Sequence, residues 1–227
     1  MLTAVAIIPS APVLVPQLAG VAAAELTDLR AAVRTAAQAL PARWIVVGAG
    51  ERHRLLAPQT AGTFAGYGAD VPVALSPGEH PVTDMPLCAL VAGWVRTQDR
   101  PDAIAEVRCY PTSSDNESAL DQGRELRAEI DADAGAVGVL VVADGWHTLT
   151  PGAPGGYDQA SVPEQGDLDD ALARGDGAAL TRLPAGVIGR VPLAVLAGLT
   201  GCRSVSAREL YRGAPYGVGY FVGIWTL

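Results

Sequence analysis

The chain has 227 residues, 49% of them hydrophobic, and a formal net charge of −8. Its composition excludes a disordered chain, because disorder requires low hydrophobicity together with high net charge. An acidic balance without basic clusters also excludes phosphate-backbone binding, so we expect no nucleic acid partner.

Apolar strand segments alternate with amphipathic helices in the first half of the chain. Leu2–Ile8 is a β-rich apolar run, and apolar residues at three- and four-residue spacing then predict a helix from Leu26 to Leu40, closed by Pro41. The other elements predicted up to residue 110 are a strand at 44–47 ended by the glycines at 48 and 50, a strand at 71–75, a helix at 86–97 with Pro86 in its first turn, and a strand at 104–110.

The second half continues the alternation. Ser114 and Glu117 have the S-x-x-E spacing of a capping box, which predicts a helix that runs to Ile130. Val137–Val142 is apolar on both faces, as expected of a central strand in a covered sheet. Helices at 168–174 and 192–199 and a last strand within 217–225 complete the pattern.

Repeated βα units with continuously apolar strands predict an α/β fold, a three-layer sandwich with a mostly parallel central sheet. No internal repeat or linker divides the chain, so we expect residues 1–227 to form a single domain.

Three corners follow predicted strands, where open sheets bind their ligands. They are Pro9–Pro12, Gly50–His53 and Asp144–His147. If the three strands are neighbours, the corners converge on one cleft. The pocket candidates there are Ser10, Glu51, His53, Asp144 and, in the loop that follows, Tyr157.

His147 is the candidate acid/base residue, because an imidazole titrates near neutral pH. The alternative is that its side chain binds a backbone carbonyl and so holds the GAPGGYD loop. His53 lies between two arginines and is either a site residue or an exposed loop residue. His80 is interpreted as a turn residue. Asp158, Glu209 and Tyr211 are either pocket residues or loop anchors.

No two histidines have ligand spacing and no CxxC pair is present, so the sequence contains no local zinc motif. Three widely spaced cysteines are typical of reduced thiols. The first cationic residue is Arg30, and the longest apolar run is about half of the ~20 residues that a bilayer span needs. We therefore expect a cytoplasmic protein without a membrane partner.

Three segments in this order, PSAPVLVPQLAG, ADGWHTLTPGAPGGYD and ELYRGAPYGVGYFV, resemble the class III extradiol ring-cleavage dioxygenase subunit-B family. Memo-like proteins share that fold, and more narrowly the chain looks like an actinobacterial branch of the family. The resemblance covers nearly the whole chain. It implies an extradiol dioxygenase subunit-B-like fold.

In the catalytic members of that family, two histidines and a glutamate hold ferrous iron, and a further histidine acts as acid/base. The resemblance places the first ligand, from a Pro-His-Pro-Pro-like corner, at Ser10. It places the second at Gly50 or Glu51, with His53 a few residues further on. Ser10 and Gly50 are poor ligands for iron.

The glutamate position falls on Gly189 or Arg190, and only the acid/base histidine has a match, His147. The resemblance thus implies a degenerate iron site and no cofactor. It also implies that the cleft that holds iron in the catalytic members binds a small molecule or a protein partner here. The alternative is an active oxidoreductase, a dioxygenase acting on a catechol-type aromatic with a rearranged Fe(II) site. Catalytic relatives often pair this subunit with a second one or form homodimers, so the resemblance also allows a homodimer.

Overall fold

The computed structural model describes all 227 residues. Seven strands form one twisted sheet in the order β3-β6-β2-β7-β1-β9-β8. The strands are β1 (Leu2–Ile8), β2 (Arg43–Gly50), β3 (Arg54–Leu56), β6 (Ile104–Pro111), β7 (Val137–Val142), β8 (Ser206–Gly213) and β9 (Tyr220–Thr226). β1, β2, β6 and β7 are parallel, whereas β3, β8 and β9 run antiparallel to their neighbours.

A separate two-stranded sheet, β4 (Ala61–Thr63) with β5 (Pro72–Ala74), lies in the loop-rich region after β3. The helices are α1 (Pro16–Ala19), α2 (Thr27–Gln38), α3 (Leu87–Asp99), α4 (Asn116–Ala132), α5 (Ser161–Arg174) and α6 (Arg190–Leu199). Short 3-10 helices span Pro12–Leu14, Gly20–Leu26, Phe64–Tyr67 and Ala179–Arg182.

Helices cover both faces of the sheet, so β7 has two buried sides. Leu140 and Val142 pack into the core beneath α2 and α3. Val139 and Val141 pack into the second core, beneath α4, α5 and α6. The predicted mixed α/β class, with a mostly parallel central sheet between helices, is confirmed.

α4 and α6 pack with their backbones in close contact. A Cβ added at Gly123 of α4 would lie 2.1 Å from the Val195 carbonyl oxygen, and one added at Gly198 of α6 would lie 2.1 Å from the Leu120 carbonyl oxygen. Neither helix can approach so closely with a larger residue at these positions.

Several local predictions are corrected. The glycines at 48 and 50 do not end β2 but form its last residues, where Cys88 packs directly onto Gly48. The capping box at Ser114 is wrong: the N-cap of α4 is Asp115, whose carboxylate accepts from the Ser118 N–H at 2.8 Å. Pro86 is the N-cap of α3 rather than a residue of its first turn. No helix has the length and apolar character needed to cross a bilayer.

Candidate functional site

The corner after β1 is closed by a hydrogen bond to the turn after β7. The backbone N–H of Ser10 donates to Asp144 Oδ1 at 2.8 Å, and the Asp144 side chain is buried. Burial raises the pKa of Asp144 to about 7, and the hydrogen bond from Ser10 opposes this effect only in part. At neutral pH this carboxyl group therefore exists in both its protonated and its ionised form.

A buried glutamine holds the turn after β7. Gln165 Oε1 accepts from the Trp146 backbone N–H at 2.8 Å, and Gln165 Nε2 donates to Asp169 Oδ1 at 2.8 Å. The side-chain amide of Gln165 lies between Gly145 and Gly219. A Cβ added at Gly145 would lie 2.1 Å from this amide, and one added at Gly219 would lie 2.3 Å from it. Sequence reasoning missed Gln165, because its partners lie on segments distant in sequence and no local motif marks it.

The imidazole of His147 is half-buried and makes no hydrogen bond. Its Nδ1 is buried without a partner, and its Nε2 faces Gly155, where an added Cβ would lie 2.6 Å away. The backbone carbonyl of His147, rather than its side chain, accepts from the Gly155 N–H at 3.0 Å. The prediction that the side chain holds this loop through a carbonyl is therefore wrong, although the imidazole does lie under the loop.

The corner after β2 opens into a cavity of about 350 Å³. Glu51 and Arg52 lie at its exposed side, and Tyr67, Met85 and Leu87 supply much of its apolar wall. Arg54 forms an ion pair with Asp84 at 3.3 Å, whereas Arg52 has no carboxylate partner. This cavity lies at the carboxyl ends of the parallel strands β2 and β6.

The predicted convergence of the three corners on one cleft is wrong except for the contact between Ser10 and Asp144: neither of these residues lines the cavity at Glu51, and His53 lies apart from both places. Its ring lies 5.7 Å from that of Tyr110, in a different cavity between the sheet edge and α4. Strand β3, which His53 precedes, is separated from β7 by β6 and β2. Three strand spacings of about 4.8 Å place it roughly 14 Å from the strand that leads to His147.

The other sequence candidates lie outside the cavity at Glu51. Tyr157 is 55% exposed in the loop after His147. Asp158 anchors that loop, because its N–H donates to the Thr148 carbonyl at 2.9 Å. Glu209 and Tyr211 belong to β8, and Glu209 binds Arg212 in an ion pair at 2.5 Å. His80 Nε2 lies 2.8 Å from Ser76 Oγ within a turn, as interpreted from the sequence.

Gly189 and Arg190 are structural residues of the α6 N-terminus. A Cβ added at Gly189 would lie 2.5 Å from the Asp144 carbonyl oxygen, so no side chain fits there. Arg190 points to the loop before α4: its guanidinium donates to Asn116 Oδ1 at 2.6 Å and to the Ser114 carbonyl at 2.8 Å.

We expect Arg190→Ala to lower the free energy of unfolding by about 1.5 kcal/mol, because it removes charge-assisted hydrogen bonds that join α6 to the loop before α4. Urea denaturation measures the change. Arg182→Ala is the matched control, since that guanidinium is exposed and forms no ion pair, and its effect should stay below about 0.5 kcal/mol. Equal losses in the two variants would contradict this role for Arg190.

These residues do not fit ferrous iron. An iron site of two histidines and a carboxylate needs three donors around one ion. The corresponding positions carry Ser10, Gly50 or Glu51, and Gly189 or Arg190, and Arg190 is cationic and already bound. The structure contains no group of three or more His, Cys, Asp or Glu side chains arranged to hold a metal ion.

The fold and the cavity beyond β2 define a mixed α/β protein with its candidate site at the carboxyl ends of the parallel strands. No family model and no curated protein matches the chain. Among solved structures, the chain is similar to the crystal structure of uncharacterized protein JW3007 from Escherichia coli K12, with a TM-score of 0.58 over 99% of this chain and 100% of that chain. At 13% sequence identity, the similarity shows a shared fold alone.

Proposed function

We propose that the chain is an extradiol-dioxygenase-like protein that binds a small hydroxylated aromatic acid beyond β2 without iron. One observation carries this proposal: a cavity of about 350 Å³ is lined by Gly50 and Glu51, the matched second ligand corner, and the three matched corners carry no adequate set of metal donors. The volume lies within the range of small-molecule sites, roughly 300–1,000 Å³. A concave cavity of this size favours a small molecule over a protein partner.

The cavity offers complementary groups to such a ligand. Arg52 lacks a carboxylate partner in the protein, so it is available to a ligand carboxylate. Glu51 forms no ion pair and is available to accept from a phenolic hydroxyl. Tyr67, Met85 and Leu87 present apolar surface to an aromatic ring.

The competing function is a dioxygenase with a rearranged iron site built from His53, His147 and either Glu51 or Asp144. It would require both histidines and one of the two carboxylates around one ion. His53 lies in a cavity with Tyr110, and Asp144 is buried against Ser10. The arrangement therefore favours binding without iron.

Isothermal titration with protocatechuate tests the proposal. We expect binding that is the same with anaerobic ferrous iron and with a chelator, and no yellow ring-cleavage product. Arg52→Ala should weaken binding about tenfold, which corresponds to loss of one charge-assisted contact of about 1.4 kcal/mol. Arg182→Ala and His147→Ala are the controls and should bind like the wild type.

Two outcomes would overturn the proposal. Stoichiometric iron held with micromolar affinity, together with ring cleavage that His147→Ala abolishes, would establish the dioxygenase instead. Undetectable protocatechuate binding at millimolar concentration would remove the proposed ligand class.

A further inference from the structure

A second cavity, of about 360 Å³, lies between the sheet edge and α4. His53, Leu55, Tyr110, Gln122, Glu125 and Leu126 are among the residues that line it. It is separate from the cavity at Glu51, because Tyr110 and its neighbour Cys109 point to opposite faces of β6 and belong to the two different cores.

Two residues that line this cavity, Tyr110 and Gln122, carry side-chain oxygens without a hydrogen-bond partner in the protein. Gln122 Oε1 is buried and accepts no hydrogen bond. Tyr110 is only 5% exposed as a residue, and its hydroxyl makes no hydrogen bond within the protein. Buried polar groups in folded proteins are nearly always paired, so the orphaned Gln122 Oε1 indicates a missing partner, and the Tyr110 hydroxyl is a second oxygen left free to accept. Two free acceptors favour a partner rich in N–H donors.

The charges around the cavity favour a cation. Arg108 is neutralised by Glu106 and Glu129, each at 3.1 Å. Glu125 forms no ion pair, which leaves its carboxylate available. Glu125 and Glu129 both lie close enough to act electrostatically on the Tyr110 hydroxyl. The cavity is therefore net negative.

The walls suit an ammonium group attached to an apolar body. The tilted rings of His53 and Tyr110, with centroids 5.7 Å apart, present aromatic surface that attracts cations. Leu55 and Leu126 supply aliphatic surface beside them. Burial raises the pKa of Tyr110 to about 12, so its oxygen stays a neutral phenol that can accept from an ammonium group.

We propose that the cavity between β3, β6 and α4 is a binding site for a primary ammonium ligand with an apolar body. The ammonium group donates to Glu125, Gln122 Oε1 and the Tyr110 hydroxyl, and the apolar body lies against Leu55 and Leu126. This site is independent of the proposed function at Glu51, since it uses different residues on the opposite face of the sheet.

Two-dimensional NMR titration with benzylamine tests the site. Benzylamine should shift the side-chain amide signals of Gln122 and leave those of Gln165, which is bound to Asp169, unchanged. Benzyl alcohol has the same shape without charge, and benzoate has the opposite charge, so both should bind at least tenfold more weakly. High salt should weaken benzylamine binding.

Matched variants separate the ammonium contact from a general effect on α4. Glu125→Gln should weaken benzylamine binding at least tenfold, since it removes the negative charge from the hydrogen bond to the ammonium group. Tyr110→Phe keeps the ring and should weaken binding less. Glu117→Gln changes an exposed carboxylate on the same helix and should have no effect. Equal affinity for benzyl alcohol, unchanged affinity in Glu125→Gln, or no shift of Gln122 at millimolar benzylamine would overturn the proposal.

Discussion

Replacing Asp144 with asparagine is expected to raise the free energy of unfolding at pH 8 by roughly 2 to 4 kcal/mol, and to change it little at pH 4. In the folded protein, burial raises the pKa of Asp144 from 3.8 to about 7. An ionised carboxylate at this position therefore costs stability, and asparagine removes that cost. Its Oδ1 can still accept from the Ser10 N–H.

The sign of the pH dependence follows from proton binding. From about pH 4 to pH 7 the folded protein holds a proton on Asp144 that the unfolded chain has already released. The wild type therefore loses stability as the pH rises through this window, whereas Asp144→Asn does not. Urea denaturation followed by tryptophan fluorescence over a pH series should give two curves that diverge with rising pH.

Asp169→Asn is the matched control. Burial raises the pKa of Asp169 to about 6. The gain in the free energy of unfolding from Asp169→Asn should therefore be smaller than that from Asp144→Asn and should reach its full size at a lower pH. Asparagine Oδ1 can still accept from Gln165 Nε2. If the difference between Asp144→Asn and the wild type were the same at pH 4 and pH 8, the Asp144 carboxyl would not be buried as the structure has it.

Gly123→Ala is expected to lower the free energy of unfolding by about 3 kcal/mol, at the upper end of overpacking effects. The new methyl group would lie 2.1 Å from the Val195 carbonyl oxygen and 2.8 Å from the Leu199 nitrogen. Both atoms belong to the backbone of α6, so no side-chain rotation relieves the clash. α4 and α6 would have to move apart, which opens the core beneath them.

Gly166→Ala is the control, because it makes the same chemical change in another helix. Gly166 lies in α5, and an added Cβ there would meet no atom within 4 Å. We expect a gain of about 0.5–1 kcal/mol from higher helix propensity. Thermal denaturation of the two variants should give melting temperatures that move in opposite directions; a Gly123→Ala protein as stable as the wild type would contradict the close helix contact.

The sequence predicts the central part of the sheet well, because those strands carry their own signal. Val137–Val142 is apolar along its whole length and Leu2–Ile8 is apolar except for Thr3, and the observed strands have the same bounds. The sequence does not predict the edge strands β3 and β8. Ser206–Gly213 is largely polar, and its extended conformation depends on pairing with β9, which lies beyond an intervening loop.

The candidate site is harder to predict, since it depends on strand order. The corner after β2 leads directly into β3, which turns back to pair with β6, and this pairing carries His53 away from the other candidates. Arg190 donates to residues before and within α4, far away in sequence, so nothing near it indicates that role. The sequence predicts the Ser10 corner as a strand end, but the contact of Ser10 with Asp144 depends on the pairing of β1 with β7.

Strand β1 lies between β7 and β9 in the sheet, although β1 is at the start of the sequence and β9 is near its end. During synthesis, β1 therefore leaves the ribosome long before either hydrogen-bonding neighbour exists. Its apolar residues have no sheet to join until β7 emerges, and one edge remains open until β9 arrives. Completion of the sheet consequently depends on contacts between distant parts of the chain, which slows folding and leaves the nascent apolar strand exposed in the meantime.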